Sequence, residues 1–161
     1  MIRLDKFDNS DFDRGAGKLK ETLWALAKSL FFLPSWPVPS AVRCSLLRLF
    51  GAEVGSGVVI RSRTNITFPW RVKFGDHVWI GEEVVILSLA PVTIERNCCI
   101  SQRAFLCTGS HDFNKESFDL ITRPITIGES SWIAACAFVG PGVELDAGTF
   151  ITANSVAGKG K

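Results

Sequence analysis

The sequence predicts an all-β solenoid of about five coils behind an N-terminal helical segment. One observation is a period of six residues, which begins at residue 54 and continues to the end of the chain. A second is that extra residues interrupt this period only after every third hexad. A third is that residues 1–53 lack the repeat and contain two helix-like stretches. Internal repeats of this kind are typical of solenoids, in which each unit buries its face against its neighbours.

The repeat is carried by an apolar residue, which a small or β-branched residue follows four positions later at most hexads. Residues six apart do not form a continuous stripe on a helix of 3.6 residues per turn, whereas short strands joined by tight turns fit the spacing. A β-sandwich of many short strands is the alternative. The repeated positions, three to a coil, are Val54, Ile60, Ile66; Phe74, Ile80, Ile86; Ile94, Ile100, Leu106; Ile127, Ile133, Val139; Leu145, Ile151 and Ala157.

The interruptions indicate where the coils turn. Two residues are added at Val72–Lys73, two more at Val92–Thr93, and a long insertion spans 112–126. All three follow the third hexad of a coil, so we expect them at one corner of a triangular coil. We therefore divide the chain into an N-terminal helical capping segment, 1–53, and a β-helix domain, 54–161.

The capping segment is predicted to contain helices over 18–32 and 40–50. We expect them to cover the first coil, because an uncovered coil end is an exposed sheet edge. The apolar stretch 22–39 is interrupted by Lys28 and by prolines, and a membrane span needs about 20 apolar residues. Two interpretations remain open for it: docking on its own protein, or peripheral contact with a membrane surface.

Side chains that end each hexad are expected to point outward and to stack in columns. Two columns are mostly apolar, which is too much to leave in water, and the third is polar. We expect neighbouring subunits or the N-terminal segment to cover the apolar columns. The columns are Val59, Trp79, Cys99, Trp132, Phe150; Asn65, Val85, Phe105, Phe138, Val156; and Arg71, Pro91, His111, Glu144.

Composition excludes several classes of function. The formal net charge of +2 does not favour a nucleic-acid partner. The five cysteines form no Cys-x-x-Cys pair and there are two histidines, so no metal site is expected. Aspartates crowd the first residues in place of a secretory signal, which predicts a cytoplasmic protein with reduced thiols.

Four segments carry a resemblance to a known family. The hexads resemble the [LIV]-G-x-x-[STAV]-x pattern of hexapeptide-repeat acyltransferases, and the segments are similar to the WcaF-like subgroup of colanic acid biosynthesis acetyltransferases. The resemblance implies left-handed coiling, acetyl-CoA as cosubstrate and a homotrimer with active sites between subunits. The segments are Leu46-Leu47-Arg48-Leu49-Phe50-Gly51-Ala52, Ile100-Ser101-Gln102, Leu106-Cys107-Thr108-Gly109-Ser110-His111-Asp112 and Trp132-Ile133-Ala134-Ala135.

The resemblance also implies site residues. His111 would be the catalytic base, and a histidine suits that role because its unperturbed pKa is about 6.5. The backbone N–H of Ala135 would stabilise the oxyanion. Family members usually continue past the lysine that corresponds to Lys159, so we expect further residues after Lys161. The positions implied for CoA binding are Trp132, Ala134, Ala135, Ala153 and Lys159.

The acceptor is less well defined. Galactoside-type relatives use an Asn and an Asp where this chain has Gly81 and Leu89, so a different acceptor is expected. Weaker candidates for acceptor binding are Asp112, Asn97 and Arg103. Asp112 could instead orient His111, and it is equally suited to capping a loop.

The resemblance therefore implies O-acetylation of a sugar or lipid-linked sugar in exopolysaccharide biosynthesis, which we expect in the cytoplasm or at the inner face of the membrane. The alternatives are a serine-type hydroxyl acceptor and a non-catalytic β-helix scaffold. A γ-type carbonic anhydrase is disfavoured because it requires three zinc-binding histidines.

Overall fold

A computed structural model describes residues 1–158, which form a parallel β-helix of five triangular coils beside two helices. Each of three parallel sheets contains five strands, one from each coil, and two further strands form an antiparallel hairpin. The strands are β1 (Glu53–Val54), β2 (Val59–Ile60), β3 (Asn65–Ile66), β4 (Val72–Phe74), β5 (Trp79–Ile80), β6 (Val85–Leu87), β7 (Val92–Ile94), β8 (Cys99–Ile100), β9 (Phe105–Cys107), β10 (Gly109–His111), β11 (Leu120–Thr122), β12 (Ile125–Ile127), β13 (Trp132–Ile133), β14 (Phe138–Val139), β15 (Glu144–Leu145), β16 (Phe150–Ile151) and β17 (Val156–Ala157).

The predicted hexad register is confirmed. On the first sheet Val54 pairs with Phe74, Phe74 with Ile94, Ile94 with Ile127, and Ile127 with Leu145. The other two sheets, which we call the second face (β2, β5, β8, β13, β16) and the third face (β3, β6, β9, β14, β17), continue the same register. From Ile60 to Val139 the apolar residues of the repeat are at most 1% exposed, so they form the core.

The two apolar outward columns are also confirmed, but the polar column is wrong in register. The strands place Glu53, Lys73, Thr93, Thr126 and Glu144 side by side on the first sheet. The two residues inserted after the first coil and the two inserted after the second extend β4 and β7, and this moves the outward position by two residues. The column is polar as expected, but of the predicted members only Glu144 belongs to it.

The helices of the capping segment are α1 (Lys18–Phe31) and α2 (Ser40–Leu49). Strong helix formers fill α1, which buries Trp24 and ends before Pro34, a residue that cannot continue a helix. Phe32, which follows α1, and Leu47 of α2 are fully buried against the first coil. These contacts show that at least one side of the apolar stretch 22–39 packs against the rest of the protein.

Polar side chains of the capping segment donate hydrogen bonds to backbone carbonyls at the open edge of the first coil. The Nε1 of Trp24 donates to the carbonyl of Ile66 at 3.0 Å, and the Nη1 of Arg43 donates to the carbonyl of Ile60 at 3.1 Å. The guanidinium of Arg48 donates to the carbonyls of Val54 and Gly55. One donor thus reaches each of the three sheets, which protects an edge that would otherwise pair with another chain.

Candidate active site

The predicted insertion forms a β-hairpin that carries His111. Strands β10 and β11 pair antiparallel, and His111 lies opposite Leu120 at the end of the ladder. Strand β12 begins at Ile125, so the last two residues of the predicted insertion already belong to the next coil. The hairpin leaves the solenoid at the corner between the third face and the first sheet, as the phase of the insertions predicted.

The imidazole of His111 is held by Phe118 of the same hairpin. Its Nδ1 lies 2.8 Å from the carbonyl oxygen of Phe118, and its ring stacks on the Phe118 ring with centroids 4.3 Å apart and planes 2° apart. The ring of Phe7, from the N-terminal segment, approaches in a T-shaped arrangement with a centroid separation of 5.4 Å. The side chain is half-buried, so part of it is accessible from solvent.

The contact with Phe118 decides which nitrogen of His111 can act as a base. A carbonyl oxygen only accepts hydrogen bonds, so in the neutral ring the proton must sit on Nδ1. Nε2 then carries the lone pair, and it makes no hydrogen bond to any residue of 1–158. This is the tautomer that a general base needs when it accepts a proton through Nε2.

Asp112 caps the hairpin loop. Its Oδ1 accepts the backbone N–H of Asn114 at 3.0 Å, and its own N–H donates to the carbonyl of Asp119. The Lys115 ammonium and the Ser117 hydroxyl both bind the Asp119 carboxylate, which lowers the pKa of that group. His111 is therefore oriented by the Phe118 carbonyl and not by Asp112, whose predicted contact with an acceptor stays a prediction.

Ala135 lies at another corner of the coil, between the second and third faces. Its N–H has no hydrogen-bond partner among residues 1–158, while its carbonyl accepts the N–H of Asn154. The N–H groups of Gln102 and Ala153, at the same corner of the adjacent coils, are also unpaired within the described chain. This corner presents a ladder of free donors, and within one chain it is separate from the corner that carries His111.

The other residues predicted to bind CoA line the second face and the Ala135 corner. Trp132 is 49% exposed, contacts the Phe150 ring at a tilt of 34° and donates from Nε1 to Ser101 at 2.8 Å. Ala134 is buried beside it, and Ala153 follows on the next coil. The same face carries a cleft of about 430 Å³, lined in part by Trp79, Cys99 and Gln102. Lys159 lies outside the described residues.

Asn97 and Arg103 are not brought to His111 within one chain. Both adopt a positive φ, 59° and 60° respectively, and so serve as left-handed turn residues at coil corners. Asn97 lies at the corner between the first sheet and the second face, and Arg103 pairs with Glu83 at 2.9 Å at the Ala135 corner. Turn geometry and an ion pair explain why these residue types occur there, and their predicted acceptor contacts stay predictions.

Two residues at the site were missed by the sequence reasoning. Phe118 acts through its backbone carbonyl and its ring, and no motif marks it. Phe7 is one of several apolar residues in an N-terminal segment of mixed charge, and nothing in the local sequence distinguishes it from Leu4 or Phe12. Within residues 1–158 no group of three or more His, Cys, Asp or Glu side chains is arranged to hold a metal ion.

Comparison with known proteins identifies the family. No protein-family model matches the chain. WcaF of Escherichia coli (strain K12), assigned to colanic acid biosynthesis as an acetyltransferase, is 42% identical over 142 residues, which are 88% of this chain and 78% of WcaF. The chain belongs to the WcaF-like family of hexapeptide-repeat acetyltransferases. It is an enzyme of the acetyltransferase class.

Two further relatives of this WcaF-like chain extend the comparison. Galactoside O-acetyltransferase of E. coli is 26% identical over 137 residues, which are 82% of this chain and 68% of that protein. The structure of a hexapeptide-repeat acetyltransferase from Vibrio cholerae complexed with acetyl coenzyme A superposes with a TM-score of 0.77 at 26% identity, covering 98% and 88% of the two chains. The fold is therefore the left-handed β-helix of these acetyltransferases.

Proposed function

We propose that this WcaF-like protein transfers an acetyl group from acetyl-CoA to a hydroxyl of a sugar or saccharide acceptor in exopolysaccharide biosynthesis. The donor is supported by the acetyl-CoA complex of the Vibrio cholerae neighbour. The acceptor class is supported by the names of WcaF and of galactoside O-acetyltransferase. The observation that carries the proposal is the His111 imidazole, whose Nδ1 is bonded to a carbonyl and whose Nε2 is free within the described chain.

The reaction follows from that tautomer. Nε2 of His111 takes the proton of the acceptor hydroxyl as the oxygen attacks the thioester carbonyl carbon. A C–O bond forms, and the tetrahedral intermediate collapses as the C–S bond breaks. The leaving CoA thiolate takes the proton from the imidazolium, which restores the base. The Phe118 carbonyl holds Nδ1–H throughout and accepts a stronger hydrogen bond when the ring is cationic.

The oxyanion is assigned to the N–H of Ala135. A preorganised backbone donor aimed at the developing charge typically contributes 10²–10³-fold in rate. Because the Ala135 and His111 corners are separate in one chain, we propose that each site combines His111 of one subunit with Ala135 of a neighbour in a homotrimer. The exposed apolar columns on the second and third faces, which include Trp79, Phe150 and Val156, support burial against neighbours. A monomer in sedimentation at micromolar concentration would contradict the trimer.

Acetyl-CoA is proposed to lie along the second face and the Ala135 corner. Ala134, Ala135 and Ala153 have side chains small enough for the pantetheine arm to approach the backbone. Trp132 offers an exposed ring beside them. Lys159 is retained as a candidate for a CoA phosphate, since a lysine acts there as a point charge.

The test uses two variants of His111 with free-thiol detection of released CoA. His111→Ala removes the base and the contact with Phe118. His111→Asn retains an amide N–H near the position of Nδ1, so it keeps a donor to the Phe118 carbonyl while it removes Nε2. We expect both to fold and to lose roughly 10²–10⁴-fold in rate with the best acceptor from a sugar screen. Wild-type turnover in either variant refutes the assignment.

We place this activity in the cytoplasm, at the inner face of the membrane. Within residues 1–158 no helix combines the length and apolarity of a membrane crossing. All five cysteines are free thiols, as in a reducing compartment. Four leucines at helical spacing remain 39–57% exposed, and no Asp or Glu occurs between Glu21 and Glu53. These leucines are Leu23, Leu26, Leu30 and Leu33.

An apolar stripe on an acid-free segment is suited to lie in the headgroup region of an anionic membrane. Leu26→Ser/Leu30→Ser should therefore reduce co-sedimentation with vesicles of phosphatidylglycerol and phosphatidylethanolamine while the fold is kept. If this double variant changes the oligomeric state and leaves vesicle binding unchanged, the stripe contacts a protein neighbour instead.

A further inference from the structure

The N-terminal strap, residues 3–7, lies on the hairpin that carries His111. The N–H of Arg3 donates to the carbonyl of Glu116 at 2.8 Å, and the Lys6 ammonium pairs with the Glu116 carboxylate at 3.0 Å. Both Lys6 and Glu116 are about half exposed, and such ion pairs contribute little on their own. The main-chain bond and the aromatic contact of Phe7 are therefore the parts of this interface that matter for His111.

The chain that follows the strap is attached to the body of the solenoid at residues 12–14. The Nε1 of Trp70 donates to the carbonyl of Arg14 at 2.9 Å. Arg71 donates to the carbonyl of Asp13, and its guanidinium lies 5.4 Å from the ring of Phe12. Trp70 and Arg71 belong to the corner from which the hairpin also leaves, two coils further along. The N-terminal segment thus connects the early coils to the catalytic hairpin along a single corner.

The connection matters because the contacts made by Phe118 orient the imidazole only relative to the hairpin itself. Phe118 holds the imidazole through a hydrogen bond and a stacked ring, but Phe118 belongs to the same hairpin and moves with it. Phe7 lies 104 positions earlier in the chain and meets the ring at 61° to its plane. It is the one aromatic contact of His111, among residues 1–158, that comes from outside the hairpin.

We propose that Phe7 is a positioning residue, and that the N-terminal strap holds the imidazole of His111 in the orientation that aims Nε2 at the acceptor hydroxyl. This inference rests on the proposed function, in which His111 is the base. An edge-to-face aromatic contact contributes modestly, so its loss should slow the reaction without abolishing it. Acetyl-CoA binding should change little, since Phe7 contacts the His111 ring and is not among the residues proposed to bind CoA.

Steady-state kinetics of the full chain test the proposal. We expect Phe7→Ala to lower kcat roughly three- to tenfold while the KM for acetyl-CoA changes less than about twofold. Phe7→Tyr keeps the ring and should restore most of the rate. Leu4→Ala is the matched control, because Leu4 lies in the same strap, is 70% exposed and has no ring contact with His111. Equal losses in Phe7→Ala and Leu4→Ala would overturn the proposal.

Imidazole NMR provides a readout that does not depend on turnover. The chain has two histidines, His77 and His111, so each side chain gives an assignable set of ring resonances. In Phe7→Ala the resonances of His111 should shift while those of His77 stay in place. If His111→Ala retains turnover, the proposed function fails. If His111→Ala is inactive but Phe7→Ala neither slows catalysis nor shifts the His111 resonances, only the role of Phe7 fails.

Discussion

Ile100→Ala measures how strongly the middle of the solenoid depends on stacking. Ile100 is fully buried, and in the second face its strand pairs with those of Ile80 and Ile133. The change removes three carbon atoms, worth about 2.4 kcal/mol of transfer free energy at ~0.8 kcal/mol for each carbon. The cavity left between two coils adds to this, so the total should reach about 3–4 kcal/mol. Neighbouring coils cannot close the gap, because their backbones are held by the ladder hydrogen bonds.

The matched control is Ile151→Ala, the same position of the repeat in the last described coil. Ile151 is partly exposed and, within residues 1–158, has a coil on one side only, so its truncation should cost less than half as much. Thermal unfolding followed by circular dichroism, at one protein concentration, should show a fall of ~6–16 °C for Ile100→Ala. Equal falls for the two variants would refute the view that each coil is stabilised mainly by its neighbours on both sides.

Two further predictions concern thiols and acid stability. Cys136 is exposed, while burial raises the pKa of the thiols of Cys44, Cys98 and Cys107, so a thiol reagent at about pH 8 should modify Cys136 first. Bound CoA should slow that modification, because Cys136 is adjacent to Ala135, a proposed CoA-binding residue. Mass spectrometry measures the modification, and Cys136→Ser is the control. Hydrogen bonds from Ser56 lower the pKa of Asp76 below its unfolded value of about 4. The stability it adds is present above that value and is lost as pH falls through the folded pKa. Asp76→Asn should therefore lower the Tm at about pH 6, and the Tm should then fall less between about pH 6 and pH 3 than it does in the wild type. A fall in Tm as large as that of the wild type would contradict this.

The sequence was sufficient for the fold because the repeat is one-dimensional. Each coil contacts mainly its neighbours, so an apolar residue at a fixed spacing determines both the strand and its register. The same reasoning placed the hairpin at the correct corner. It is wrong for the polar column, because the hexad count ends at Arg71 and Pro91. The two residues inserted after each of these lengthen the strand, so Lys73 and Thr93 take the outward positions.

The site was predicted less completely because its parts depend on contacts between distant segments. A local motif predicts His111 as the base. The carbonyl of Phe118 that orients it is a backbone group, and any residue at that position could supply it. The ring of Phe7 contacts His111 although the two residues are 104 positions apart in the sequence. Arg71 holds the N-terminal segment by a hydrogen bond to the carbonyl of Asp13, and no local pattern predicts that contact. The residue type and its motif therefore predict the proposed base, whereas the groups that orient it can be identified only from the structure.

The separation of His111 from Ala135 leads to a complementation experiment. Cys136 has a φ of 59°, which fits the second central position of a type II turn, where proline is favoured at the position before it. Ala135→Pro should thus remove the proposed oxyanion donor, lowering the rate by about 10²–10³-fold, while the coil is kept.

If each site takes His111 from one subunit and Ala135 from another, inactive His111→Ala and inactive Ala135→Pro chains must complement each other. In an equal mixture of randomly assembled trimers, about one site in four would combine an intact imidazole with an intact N–H. Co-expression should therefore restore about a quarter of wild-type activity, and a mixture of separately assembled proteins should restore none. If both groups came from the same chain, no mixed trimer would contain a complete site, so absence of recovery in verified mixed trimers would exclude a site shared between subunits.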